Sequence, residues 1–121
     1  MLQMSEKPFN TVNYFELPSD NNDQLKQFYN IVFNWTFEEG KDTSDYWYTE
    51  SAGIKGALLK RRTPEQNAPT LYVQVESIDD TISKAKSAGA KVVVDKQEIS
   101  EGTFAIMKDP QQNTIGIWQP K

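Results

Sequence analysis

The feature that most restricts this chain is a supersecondary order that occurs twice. Thr11 to Leu17 alternates as a half-buried strand does, with Val12, Tyr14 and Glu16 on one face and Asn13, Phe15 and Leu17 on the other. Pro18 is expected to end that strand, and Ser19 or Asp20 to cap a helix. Leu25, Phe28, Tyr29, Val32 and Phe33 then follow the spacing of one buried helical stripe, which assigns them to core. Trp35 to Glu38, Tyr46 to Glu50 and Ile54 to Arg61 read as three strands, separated by turns at Gly40 to Ser44 and at Ser51-Ala52-Gly53. The second half repeats strand, helix, strand, strand, strand. Leu71 to Val75 is its first strand, Ser77 with Asp80 starts its helix, Ile78, Ile82 and Ala85 mark the apolar face, and Gly89 stops it. Lys91 to Val94, Thr103 to Met107 and Thr114 to Trp118 complete the set.

Set side by side, Phe15-Glu16-Leu17 falls on Val73-Gln74-Val75, and Gly56 falls on Gly116. A unit with a one-sided sheet needs a partner to bury that sheet, so the duplication predicts two tandem βαβββ modules. The fold class is α+β, with an open, mixed sheet curled around a cleft. With 121 residues there is length for one core, so the whole chain, 1–121, is read as one domain. Module one covers about 10–62 and module two about 70–119. Thr63 to Pro69, with two prolines and no large apolar residue, has linker composition.

Composition then removes classes of function. Net charge is −4, which argues against non-specific binding to nucleic acid or to an anionic membrane. The one basic cluster, Lys60-Arg61-Arg62, reads as a solvated strand end. With no cysteine, disulfides and thiolate chemistry are excluded. The Met1 to Asn10 segment lacks the apolar centre of a signal peptide, so a cytoplasmic location is the expectation. Histidine is also absent, which removes imidazole bases and imidazole metal ligands together. Any chemistry must use carboxylates, Tyr, Lys, Arg or backbone groups. No phosphate-cradling glycine loop or nucleophile elbow is present.

YFELP followed by a helix ending in FYNIVFNW resembles the FY-x-x-x-(L/F)-G-W pattern of the vicinal oxygen chelate superfamily, which includes glyoxalases, bleomycin-resistance proteins and extradiol dioxygenases. The closing KDPQQNTIGIWQ resembles that family's DP-x-GN-x-(I/F)-(E/G)-(L/I), and LYVQVESIDDTISKAKSAGAKV resembles its second-module strand and helix. The resemblance spans about Val12 to Gln119. Two departures stand out: Asn34 and Gln112 occupy positions where the pattern has glycine. In metal-dependent members the resemblance puts ligands at positions that fall here on Gly116, Gly56, Thr70, and Val12 or Tyr14, none of them a usual ligand for a catalytic divalent cation. No metal and no cofactor is therefore expected.

Two glycines facing a cleft would leave room for a ligand, with Thr114 and Trp118 beside Gly116, and Ile54, Leu58 and Lys60 beside Gly56. The plainer alternative is that they relieve crowding where strands curl. Glu16 and Gln74 hold duplicated positions, so a carboxylate and an amide are expected to meet on the inner face. Tyr14, Tyr72 and Trp118 share that face and supply aromatic walls. Tyr46, Trp47 and Tyr48 form a dense aromatic run on a middle strand that also suits the walls of such a site, the competing reading for any one of these aromatic residues being a plain core or dimer contact. Three functions stay open: a metal-free binder of a small aromatic or amphipathic molecule, a metal-independent isomerase or cyclase-like enzyme using Glu16 and a nearby Tyr, and a homodimeric interaction module without a ligand.

Overall fold

In a computed structural model, residues 9–41, 45–62 and 67–121 are described. The turn expected at Gly40 to Ser44 and the linker at Thr63 to Pro69 fall partly outside these residues, and most of the Met1 to Asn10 segment does so too. The elements are β1 (Thr11–Ser19), α1 (Asn22–Phe33), β2 (Glu38–Glu39), β3 (Tyr46–Thr49), β4 (Lys55–Lys60), β5 (Thr70–Gln74), α2 (Ile78–Ser87), β6 (Lys91–Ile99), β7 (Gly102–Lys108) and β8 (Thr114–Pro120). This is βαβββ twice over, as the duplication predicts. The chain divides into two compact units: Tyr14–Thr70, and Leu71–Lys121 joined by the chain's start through Asn13.

In the Tyr14–Thr70 unit the strands run β2-β3-β4-β1. β1 and β4 are parallel, with Phe15 opposite Gly56, while β3 is antiparallel to β4, with Trp47 opposite Leu58. β4 lies between two strands and buries four consecutive residues, Gly56 to Leu59, the continuous run expected of a strand covered on both faces. β1 continues through Pro18 to Ser19, because the Ser19 carbonyl accepts the Arg61 N–H at 2.8 Å, and the N–H that proline lacks is not required there. The cap of α1 is Asn21, whose Oδ1 accepts the Gln24 N–H at 3.1 Å. Ser19 instead accepts the Asn21 N–H at its Oγ.

α1 departs from the sequence expectation in its packing. None of its residues is buried, and Phe28, Val32 and Phe33 remain about half exposed. Its aromatic residues pack mainly on one another and on the residue just past the helix: Tyr29 stacks on Trp35 at 5.1 Å, and Trp35 reaches Phe15 at 6.1 Å. Trp35 is thereby occupied with the helix end, and β2 is reduced to Glu38–Glu39. Asn34 adopts the left-handed conformation, φ 62°, and its N–H returns to the Asn30 carbonyl at 2.9 Å. An asparagine tolerates this region better than most residues and so serves in place of glycine.

In the Leu71–Lys121 unit the order is β5-β8-β7-β6, with β5 and β8 parallel and the other pairs antiparallel. Here α2 packs conventionally. Ser77 caps it through the Asp80 N–H, and Gly89, φ +104°, follows its end. Ile78 joins Val75, Ala105 and Ile117 in an aliphatic cluster flanked by Val73, Ile82, Met107 and Ile115. β6 extends to Ile99, five residues past the expected end, as an exposed strand with two irregularities in its register. The turn before β8 is closed by Asp109, whose Oδ1 accepts the Gln111 and Asn113 N–H groups, and Gln112 takes a left-handed φ of 69°.

Candidate functional site

Strand alternation and register sort the residues of the Tyr14–Thr70 unit into two faces. Phe15, Gly56, Leu58 and Trp47 lie towards α1, since Phe15 contacts Trp35 and the Lys26 ammonium sits 3.3 Å from the centre of the Trp47 ring. Tyr14, Glu16, Tyr46 and Tyr48 lie on the opposite face. There the Tyr46 hydroxyl donates to Glu16 Oε2 at 2.6 Å, and the Tyr14 and Tyr46 hydroxyls are 2.8 Å apart. Tyr48 packs edge-on against Tyr46 at 4.7 Å. Burial, then the Glu16 charge, then the neighbouring Tyr14 hold the Tyr46 phenol in its protonated form far beyond the usual tyrosine range.

The same sorting separates two of the candidate residues from this face. Gly56 is directed towards α1, and a Cβ there would lie 2.1 Å from the Phe15 ring. Lys60, four residues further on, is exposed at the end of β4 beside Ser19. The plainer reading of Gly56 as relief from crowding matches this geometry, the crowding coming from the paired aromatic ring.

In the Leu71–Lys121 unit, Tyr72, Gln74, Gly116 and Trp118 share the face turned away from α2, because the alternate residues Val73 and Ile117 belong to the cluster under that helix. Asn13 ties them together: its side-chain amide donates to Gln74 Oε1, and its Oδ1 accepts the Trp118 indole N–H at 3.0 Å. Tyr72 is buried over Gly116, where a Cβ would lie 2.3 Å from the tyrosine ring. An open depression of about 610 Å³ at the β6–β7 turn, lined by Ile99, Gly102, Gln119 and others, includes none of the candidate residues.

Tyr46 and Asn13 are the residues of these faces that the sequence does not single out as site residues. Tyr46 belongs to an aromatic run that the sequence leaves open between site wall and packing, and only the pairing of Tyr46 with Leu59 shows that its hydroxyl reaches Glu16. Asn13 carried no signal beyond being a polar residue within a strand.

The positions that the resemblance gives to metal ligands do not suit a catalytic divalent cation. Gly116 and Gly56 have no donor side chain, and aromatic rings fill the space in front of both. Thr70 is buried, Val12 is 45% exposed, and the Tyr14 hydroxyl is bonded to Tyr46. Among the described residues no three carboxylates gather in a way that could hold an ion.

Residues 15–117 match the model of the glyoxalase-like domain family. The chain is 23% identical over 128 residues to a protein named putative glyoxylase CFP32 in Mycobacterium bovis and in Mycobacterium tuberculosis, covering 98% of this chain and 49% of that one. The chain thus spans about half the length of the curated relatives it matches. Among solved structures, its fold is similar to a glyoxalase/bleomycin resistance protein/dioxygenase superfamily member from Vibrio splendidus 12B01, with TM-score 0.65, 14% identity and coverage of 90% and 99% of the two chains. It is also similar to methylmalonyl-CoA epimerase from Mycobacterium tuberculosis, with TM-score 0.67, 13% identity and coverage of 100% and 93%. With most of its length matched by the family model and the twofold βαβββ order in place, the chain belongs to the glyoxalase-like domain family of the vicinal oxygen chelate superfamily.

Proposed function

We propose that this domain binds a small aromatic or amphipathic molecule without a catalytic metal, against the strand face that carries Tyr14, Glu16, Tyr46 and Tyr48. The supporting observation is the hydrogen-bonded chain of two phenols and a carboxylate among aromatic rings. Such a surface offers planar contact area together with a few oriented polar atoms, the usual make-up of a small-molecule site. Tyr72, Gln74, Gly116 and Trp118 form a second candidate surface within their own unit, where the Asn13 amide orients Gln74 and Trp118. A homodimer and a cytoplasmic location are part of the same proposal. Among the described residues no helix is long and apolar enough to cross a membrane.

Thermal unfolding of chelator-treated protein tests this reading. A ligand at a hundred times its Kd stabilises by about 2.7 kcal/mol, which raises the melting temperature by several degrees. Tryptamine or 2-naphthol at millimolar concentration is expected to give such a rise, while nickel, zinc or manganese gives none. Strong stabilisation by any of those ions, or no response to either aromatic probe, would count against it.

A second reading is favoured by the 2.6 Å Tyr46–Glu16 bond: a metal-independent isomerase in which Glu16 takes a proton from the substrate and a phenol holds the developing oxyanion. Similarity in fold to an epimerase supports the scaffold but not the reaction. Unchanged turnover in Glu16→Gln would end that assignment.

A further inference from the structure

α1 reverses the usual distribution of side chains on a surface helix. Phe28 is 51%, Ile31 79% and Val32 50% exposed, and the three are neighbours at i, i+3 and i+4. Gln24 and Gln27, exposed one turn earlier, border them. From Gln27 to Phe37 the chain carries no charged residue, although it holds 13 basic and 17 acidic ones in all. α2 is the ordinary case: Ile78 and Ile82 turn inward, while Asp79, Asp80, Lys84 and Lys86 are exposed. The three apolar side chains of α1 offer on the order of 300 Å² of contiguous surface, the size range in which patches often serve a contact.

Charge selects the occupant. Copies of a chain with net charge −4 repel one another over most of their surface, and an uncharged face is where they approach without that cost. A glutamine amide carries donors and an acceptor together, so Gln24 and Gln27 can bond to their own counterparts across a twofold axis. Strand addition is the rival route to self-association, and the outer strand of each unit is guarded against it. β2 consists of Glu38 and Glu39 alone, and β6 carries Asp95, Lys96 and Glu98 together with two breaks in register. An anionic lipid surface is disfavoured by the same net charge. We infer that the Phe28, Ile31 and Val32 face of α1 is a twofold contact with a second copy of the chain, the two helices crossing at Ile31. This rests on the homodimer proposed above, to which it gives a surface, and is independent of the ligand. With the amide rim included, two such faces cover about 1,000 Å², near the lower limit for a specific interface, so a reversible dimer with a micromolar Kd is expected.

Sedimentation velocity of the full chain between about 1 and about 100 µM tests this, and wild type is expected to pass from monomer to dimer across that range. Ile31→Glu should raise the dissociation constant at least about a hundredfold, because two carboxylates then face each other at the axis. An equimolar mixture of Ile31→Glu and Ile31→Lys should associate again, which neither variant does alone. Because Ile31 is exposed in the single chain, both variants are expected to give the circular dichroism of wild type. If Ile31→Glu fails to fold, Ile31→Lys alone carries the test, with the same loss expected. A dimer that persists unchanged in a folded Ile31 variant, or a pair of variants that stays monomeric when mixed, overturns the inference and leaves the wild-type homodimer standing. Wild type that is monomeric throughout overturns both.

Discussion

In the Tyr14–Thr70 unit Phe15 covers Gly56 on the face packed by α1, whereas in the Leu71–Lys121 unit Tyr72 covers Gly116 on the face turned away from α2. In both places a glycine is paired directly with an aromatic ring on a parallel neighbour. A sequence repeat aligns the two glycines, yet their surroundings differ because Gly56 pairs with Phe15, and Phe15 alternates with Tyr14 and Glu16. The difference shows that a duplicated residue need not keep a duplicated role. In one unit the glycine serves the contact with the helix and leaves the opposite face to Tyr14, Tyr46 and Glu16. In the other it serves the helix-free face itself.

The helices differ in a parallel way. α2 places Ile78, 4% exposed, in an aliphatic cluster, while α1 leaves Ile31 79% exposed and stacks its aromatic residues on Trp35. The largest expected effect lies in the aliphatic cluster: Ile117→Ala should cost about 2–5 kcal/mol in chemical denaturation, through lost burial and the cavity left behind. A cost below about 1 kcal/mol would mean that this unit is no better packed than its counterpart.

Next in size is Gly56→Ala, which drives a methyl into the Phe15 ring within a packed, helix-covered layer and should cost about 1–3 kcal/mol. Pairing it with Phe15→Leu should restore much of the loss if the ring is the obstacle. Failure of that rescue would break the comparison between the two glycines.

Smaller still, and of opposite sign, is Gln112→Gly. Gln112 holds a left-handed φ of 69° without the short side chain that makes Asn34 comfortable at 62°. Replacing it should stabilise by about 0.5–1 kcal/mol, more than Asn34→Gly would. The smallest effect is expected at Ile31: Ile31→Ala should change the folding stability of the separated chain by no more than about 0.5 kcal/mol, as for an exposed site.

Much of this architecture is legible in the sequence, because local signals agree with the fold. Ser77 and Asp80 mark the start of α2, Ile78 and Ile82 its buried face, and Gly89 its end, and each does what its chemistry suggests. The stripe on α1 predicts a helix correctly but not its burial, since periodicity reports a face and not what covers it. β6 beyond Val94 is hidden by the polar run Asp95 to Glu98, which breaks alternation on an exposed strand held by its pairing with β7. The candidate site is only partly legible. Glu16 and Tyr14 follow from alternation on a single strand, but Tyr46 joins them through the non-local register of β3, β4 and β1.

Tyr46 is accordingly where the account is most exposed to experiment. Because its phenol is held protonated in the folded chain, stability should fall as pH rises above the unfolded tyrosine value of about 10, and Tyr46→Phe should remove that part of the dependence. The most direct measurement is the alkaline absorbance titration of phenolate in folded protein, comparing wild type, which has five tyrosines, with Tyr46→Phe. Equal phenolate amplitudes before unfolding are predicted, since Tyr46 contributes nothing in the native state. A native-state amplitude smaller by one tyrosine in Tyr46→Phe would show that Tyr46 ionises freely, and its buried hydrogen bond to Glu16 would be wrong.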